Sequence, residues 1–255
     1  MQDTRWQPVD CHAHSQFSDG ALTIDEMVER AAALGVYPSV ADHISRDVAK
    51  TIDSVDEVRV YLDTLERYDV LRGGEFCYHD HLWREIPPDL VRRFTHRVGS
   101  LHAIQLGDAT LLHVFSRRVS IDIEANDYMD FHLAYLERFA AEMPVDILAH
   151  PTLVAAHFRS HAPEELWSEA HETRLVDALF KAGIAFEISN RYRPHERLVR
   201  RAHDRGVRLS LGSDGHTAEQ VADVSRPLAM ARRVGVRDED LYDPRRHGSR
   251  TGCFA

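Results

Sequence analysis

The segment Trp6-Gln7-Pro8-Val9-Asp10-Cys11-His12-Ala13-His14 sets the reading of the whole chain. Trp6 to Cys11 reads as a short strand, and two imidazoles follow at its C-terminal end. In extended chain, residues i and i+2 share a side, so His12 and His14 can hold one ion between them.

The same event recurs along the sequence. A second predicted strand, Tyr37 to Ala41, ends in Ala41-Asp42-His43, and a third, Val70 to Phe76, carries Gly74-Glu75. A fourth, Arg97 to Leu101, ends in Ser100-Leu101-His102, and a fifth, Val145 to Ala149, in Ala149-His150-Pro151. A sixth, Ile184 to Ile188, ends in Glu187-Ile188-Ser189-Asn190. The seventh, Val207 to Leu211, ends in Gly212-Ser213-Asp214-Gly215-His216, again an i, i+2 pair. Asp19 lies in Ser18-Asp19-Gly20, where the glycine permits a tight turn. Core histidines have no reason to choose strand ends so consistently.

Helical patterns separate these strands. Thr23-Ile24-Asp25-Glu26 and Ser54-Val55-Asp56-Glu57 read as capping boxes. The first opens a helix with Met27, Ala31 and Leu34 on one stripe, stopping at Gly35; the second runs to Tyr68. Pro87-Pro88 starts a short helix, and Asn126 to Met143 forms another with Phe131, Tyr135 and Phe139 on one face. Pro163 to Ala182 is helical with a break near His171; Pro194 begins the next helix, and Ala218 to Val234 the last. Strands joined by helices run parallel with right-handed crossovers. The expectation is an α/β fold in a single domain, residues 1–255, with a core over 6–235 and a polar, irregular C-terminal tail over 236–255. An open doubly wound sheet and a closed barrel both satisfy the pattern; in a barrel every strand end faces one mouth.

Composition narrows the class. The chain has 255 residues, a formal charge of −10, 44% hydrophobic and 28% charged residues, as soluble globular proteins have. No window approaches the roughly 18 apolar residues of a membrane span, and Met1-Gln2-Asp3-Thr4-Arg5-Trp6 is not a signal pattern. Three cysteines, Cys11, Cys77 and Cys253, make a disulfide framework an unsuitable reading and a reducing cytoplasm the expected location. The acidic balance and the lack of a basic or aromatic stripe argue against extended nucleic-acid contact. Among the basic residues only Lys50 and Lys181 are lysine. The anomaly is 17 histidines. Convergence of His12, His14, Asp19, His43, Glu75, His102, His150, Asp214 and His216 on one rim supplies ligands for two or three divalent ions. Mixed nitrogen and oxygen donors without thiolate suit zinc, manganese or iron.

The ordered set Asp10-Cys11-His12-Ala13-His14-Ser15…Ser18-Asp19-Gly20, Ala41-Asp42-His43, Gly74-Glu75, Gly99-Ser100-Leu101-His102, Ala149-His150-Pro151 and Gly212-Ser213-Asp214-Gly215-His216 resembles the successive motifs of the PHP (polymerase and histidinol phosphatase) family, from Val9 to Gly235. The resemblance implies a distorted (β/α)7 barrel with a trinuclear metal site at its C-terminal mouth. It implies that His12, His14, Glu75 and Asp214 hold a first ion. Glu75 would bridge to a second ion on His102 and His150, and Asp19, His43 and His216 would hold a third. Some members of the family have His where this chain has Asp19.

Two cations bridged by a carboxylate can share a water and make hydroxide available near neutral pH. Such a hydroxide suits hydrolysis of a small phosphate monoester of a phosphorylated metabolite, histidinol phosphate being the named candidate. Glu75 would be the bridging carboxylate, and Asp214 or His216 would pass a proton to the departing alkoxide. Arg191 and Arg193 after the sixth strand, and Arg159 after the fifth, are the candidates for phosphate binding. His79 and His81 follow the third strand and are expected to face substrate or solvent. His195 is a helix-start residue close to the arginines, while His96, His113 and His132 read as ordinary polar positions. Cys11 and Cys77 read as buried packing residues, and Glu187 as a partner of a ligand imidazole. Two other readings compete: an amidohydrolase-like C–N or ester hydrolase, disfavoured because neither lysine sits at a strand end, and a nuclease or phosphodiesterase.

Overall fold

β-Branched and aromatic runs alternating with capped helices generate the expected order. The computed structural model describes residues 6–48, 50–106 and 110–250. Cys253, the end of the tail and the first five residues lie outside the described residues. The strands are β1 (Ser39–Val40), β2 (His43–Ile44), β3 (Leu71–Arg72), β4 (Glu75–Cys77), β5 (Val98–Ser100), β6 (Ala103–Leu106), β7 (Thr110–His113), β8 (Ile147–Leu148), β9 (Ala185–Ser189) and β10 (Leu209–Gly212). The helices are α1 (Ile24–Leu34), α2 (Val55–Leu65), α3 (Leu82–Glu85), α4 (Pro88–Val91), α5 (Ala125–Glu142), α6 (Pro163–Leu166), α7 (Glu169–Ala182), α8 (Glu196–Arg205), α9 (Ser225–Arg233) and α10 (Pro244–His247).

A parallel sheet runs in the order β10-β9-β8-β5-β4-β2, and β1 pairs in parallel with β3. β1 with β2, and β3 with β4, are consecutive halves of two longer segments, the second interrupted at Gly73-Gly74. The ladder is open, and the first predicted strand joins it through isolated contacts. Val9 bridges Tyr37 and Ala13 bridges Gly215, both in parallel. Ala41 N donates to Ala13 O, and Cys11 N to Leu211 O, each at 2.8 Å. Seven segments therefore stand side by side as a distorted barrel whose seam has no continuous ladder. One buried cluster contains Val9, Cys11, Ala41, Leu71, Val98, Ile147, Ala149 and Ala185 with Tyr242 and no helix residue. These side chains fill the ring, and Tyr242 closes the end opposite the strand C-termini. The larger cluster fills the space between strands and helices. Among the described residues no helix is long and apolar enough to cross a membrane.

Several local expectations need correction. The Thr23–Glu26 capping box forms and Gly35 takes φ 67° at the C-cap, but Leu34 is 44% exposed because Ile24, Met27 and Ala31 already fill the buried face. Ser54 caps α2, yet Glu57 reaches back to Asp53 N rather than Ser54 N, so no reciprocal box closes, and the helix stops at Leu65. Phe131 is 51% exposed; the stripe drifts around α5, burying Tyr135 and Phe139. The break expected near His171 falls at Trp167-Ser168, and α9 covers only part of 218–234. The antiparallel β6–β7 hairpin was not expected, and the tail buries Leu241, Tyr242 and Asp243.

His96 and His132 are buried, not ordinary polar positions. The His96 Nε2–H donates to Cys11 O at 2.9 Å, while His132 Nε2 has no partner among the described residues. Burial holds the two imidazoles down at about 4 and about 3, below the usual 6.5. Unfolded chain binds these protons first as pH falls, so the stability they contribute is present above 6.5 and is lost below it. Between pH 7.5 and 5.5 the pair should cost about 3 kcal/mol. Urea denaturation of the wild type at both pH values should show that loss, and His132→Leu should remove about half of it. An unchanged slope in the variant would contradict the assignment.

Candidate metal centre

The first segment is locked before it delivers its ligands. Asp10 accepts from Ser213 N (2.8 Å), Ser213 Oγ (2.6 Å) and Ala222 N (2.9 Å), joining the first segment to the turn after β10. Asp42 accepts from Ser15 N (2.7 Å), Ser15 Oγ (2.6 Å) and Ser18 Oγ (2.5 Å), fixing the turn that carries Asp19. Asp42 is thus a loop anchor, while His43 beside it faces the centre.

Glu75 sits at the middle, fully buried at the start of β4. Its Oε1 lies 3.2 Å from His102 Nε2 and 3.2 Å from His150 Nε2, and those nitrogens are 3.4 Å apart. A metal with bonds of roughly 2.1 Å places tetrahedral ligand atoms about 3.4 Å apart, so this triangle has the size of a coordination face. Glu75 Oε2 is 3.5 Å from His12 Nε2 and 3.8 Å from His14 Nε2. His14 Nε2 is in turn 3.1 Å from His12 Nε2 and 3.4 Å from Asp214 Oδ1. Asp19 Oδ1 lies 3.5 Å from His43 Nε2, 3.2 Å from His216 Nε2 and 4.0 Å from His14 Nδ1. Three groups with metal-binding spacing result: His14, Asp19, His43 and His216; His12, His14 and Asp214; His43, Glu75 and His102. All nine candidate ligands are therefore brought to one place.

The donors fit cations better than they fit one another. Among the described residues His14 Nδ1, His43 Nδ1 and Glu75 Oε2 are buried without a hydrogen-bond partner, although His43 Nδ1 is 2.6 Å from Glu75 Oε2. Buried polar atoms without partners are costly, and a shared cation answers that cost. Burial opposes charge on His12, but Glu187 and Glu75 outweigh it and hold its pKa well above the usual range. Burial, with His43 and His12 beside it, holds His14 well below. Burial pushes Glu75 up, but His102, His43 and His12 outweigh it and hold the carboxyl well below its usual value. Burial raises Asp214. The two neighbouring imidazoles are thus pulled in opposite directions by the groups around them.

A second layer orients the donors. Glu187 accepts from His12 Nδ1 at 2.8 Å and from His150 N at 2.5 Å, so one carboxylate holds ligands of two segments, as the sequence suggested. A Cβ at Gly212 would lie 2.0 Å from Glu187 Oε1, so only glycine admits this carboxylate. Cys77 does more than pack: its Sγ is 3.0 Å from His102 Nδ1. His150 and Asp214 have φ 30° and 50°, left-handed backbone that non-glycine residues seldom adopt. Each costs about 1–3 kcal/mol, held in place by the surrounding bonds.

The donors open into a cavity of about 780 Å³. Arg191 lines it, with Nη1 2.7 Å from His216 Nδ1 and 3.9 Å from Asp214 Oδ1. The other substrate candidates need correction. Arg193 turns away, donating to Asn190 O at 3.1 Å and lining a separate cleft beside α9. Arg159 is committed to Val154 O (3.0 Å) and Val114 O (2.9 Å) and does not line the cavity. His79 is buried against Asp47 Oδ2 at 2.8 Å, and His81 is exposed at the start of α3; neither lines the cavity. His195 lies 3.3 Å from the buried Glu172, outside the cavity. Conversely, His113, Arg118, Phe115 and Tyr192 line it and were not identified from sequence. All but Tyr192 come from the hairpin strand β7 or the loop after it, which had no periodic signal.

No family model matches the chain. A curated relative, the DNA polymerase/3'-5' exonuclease PolX of Bacillus subtilis (strain 168), is 24% identical over 92% of this chain. The match spans 39% of that protein's length. A crystal structure of histidinol phosphate phosphatase from Lactococcus lactis, complexed with zinc, L-histidinol and phosphate, superposes with a TM-score of 0.67 at 16% identity, covering 91% of this chain and 95% of that one. A Listeria monocytogenes structure named as a histidinol phosphatase gives 0.64 at 15% identity, covering 86% of this chain and 99% of that one. The chain has the fold of these phosphatase structures.

Proposed function

We propose that this chain is a single-domain, cytoplasmic PHP-family phosphoesterase that hydrolyses a small phosphate monoester, histidinol phosphate being the first ester to test. The reading is carried by the convergence of imidazoles and carboxylates around Glu75, with the Arg191 guanidinium at the rim. Two or three divalent cations (zinc, manganese or iron) would be held by His12, His14, Glu75 and Asp214, by Glu75, His102 and His150, and by Asp19, His43 and His216. When bound, such ions supply activated water and neutralise phosphoryl charge.

The chain's own residues do the rest. Arg191 offers a planar donor pair to a phosphate entering the cavity. Asp214, beside Arg191 and His216, would pass a proton to the departing alkoxide through the oxygen that does not hold an ion. The buried floor formed by Glu75, His12 and His14 keeps bulk water from that side. Among the described residues no lysine lines the cavity, which disfavours the amidohydrolase reading with a bridging lysine.

Metal removal tests the proposal. Elemental analysis of protein purified without added metal should find two or three divalent ions per chain. Exhaustive chelation should lower phosphate release from histidinol phosphate at least about a hundredfold, with recovery on adding zinc or manganese. Full activity in the stripped sample would overturn the mechanism. Cleavage of a phosphodiester in preference to every monoester would favour the nuclease reading.

A further inference from the structure

An imidazole that gives one nitrogen to a cation needs its other nitrogen held, because a free ring can turn or take the wrong tautomer. His12 meets that need with a carboxylate, Glu187 Oε1 lying 2.8 Å from its Nδ1. His102 meets it differently. Its Nε2 is the atom turned to the centre, 3.2 Å from Glu75 Oε1 and 3.4 Å from His150 Nε2. Among the described residues the partner of its Nδ1 is a sulfur, Cys77 Sγ at 3.0 Å.

Strand pairing puts the sulfur there. β4 and β5 run parallel with Cys77 opposite Ser100. Glu75 and Cys77 are i, i+2 on β4, so the strand that delivers the central carboxylate also delivers the thiol on the same side. His102 follows Ser100 by two residues past the end of β5. All three side chains, Cys77, Ser100 and His102, are buried, so no bulk water stands in for a missing partner. Cys77 Sγ is 3.8 Å from Ser100 Oγ, and Ser100 Oγ donates to Phe76 O at 3.4 Å.

This chain of contacts runs in one direction. A carbonyl oxygen only accepts, so the Ser100 hydroxyl spends its proton on Phe76 O and accepts from the thiol. The S–H is then turned towards Ser100, which leaves a sulfur lone pair facing His102. We propose that Cys77 is a positioning residue of the metal centre: its sulfur accepts the His102 Nδ1–H and so holds Nε2 unprotonated towards a cation shared with Glu75 and His150. The proposal rests on the metal-dependent reading above. Packing alone has no use for the sulfur, since valine fills similar space without an acceptor.

The test titrates the chelator-stripped full chain with cobalt(II), measuring bound metal against a competing chelator and recording the absorption spectrum. Cys77→Val should weaken one of the bound cobalt ions about ten- to a hundredfold. Cys77→Ala should do the same, so poor folding of either variant, read by circular dichroism, leaves the other to decide. Cys77→Ser keeps an acceptor and a donor and should stay within about threefold of wild type. Wild type and Cys77→Ser should give the same cobalt spectrum, with no thiolate-to-cobalt charge-transfer band. Cobalt bound as tightly by the valine and alanine variants as by wild type would overturn the positioning role and leave the metal centre standing. So would a loss in Cys77→Ser equal to that in Cys77→Val, or a thiolate band in wild type that Cys77→Ser removes. Wild type that binds no cobalt would overturn the metal-dependent reading and this proposal with it.

Discussion

Glu75→Gln is expected to lower kcat about a thousandfold or more while leaving the fold intact. The substitution keeps the shape, so the circular dichroism of the metal-free variant should stay close to that of metal-free wild type. What changes is charge and donor sense. Both carboxylate oxygens now face imidazole nitrogens, at 3.2 Å from His102 and His150, 3.5 Å from His12 and 2.6 Å from His43. An amide turns one of those acceptors into a donor and removes the charge of a fully buried carboxylate that stands against imidazoles of four segments. At least one ion should be lost, read by elemental analysis alongside kcat. Wild-type metal content with wild-type turnover would remove Glu75 from the chemistry.

The second large effect concerns stability. Asp10→Ala should cost about 3 kcal/mol, read as a lower urea midpoint with an unchanged m-value. Burial pushes Asp10 up to about 6, its hydrogen bonds from Ser213, His12 and Ala222 opposing that push. Relief of an ionised carboxylate with that shift returns about 3 kcal/mol at most. Against it stand three buried backbone N–H groups and a hydroxyl that lose this acceptor, at roughly 1–3 kcal/mol each. The unpaired donors win, and the loss falls where the barrel has no ladder to compensate. A variant as stable as wild type would show that the seam is carried by other contacts.

The centre was legible because its donors sit at the ends of apolar runs. Extended backbone put His12 and His14 on one side, and the recurring position of His43, Glu75, His102 and His150 implied a common mouth. The rest of the cavity lining was not legible. Arg191 and Arg193 share i, i+2 spacing, but Tyr192 N donates to Ser189 Oγ at 3.2 Å and the chain bends there, sending Arg193 away. Arg159 looked free because sequence does not reveal which backbone carbonyls a guanidinium will meet. Phe115 follows a hairpin strand whose pattern is too short to be read, and Glu57 took Asp53 N because a cap one residue out was equally in reach.

The left-handed backbone at His150 and Asp214 restricts which residues can drift into those places. Histidine and aspartate are the strong metal donors that also tolerate this conformation; glutamate and cysteine are less suited to it. In a saturation library, positions 150 and 214 should therefore accept a narrower alphabet than position 19, whose described backbone carries no such restriction. Divergence of the ligand set would proceed first through the outer turn.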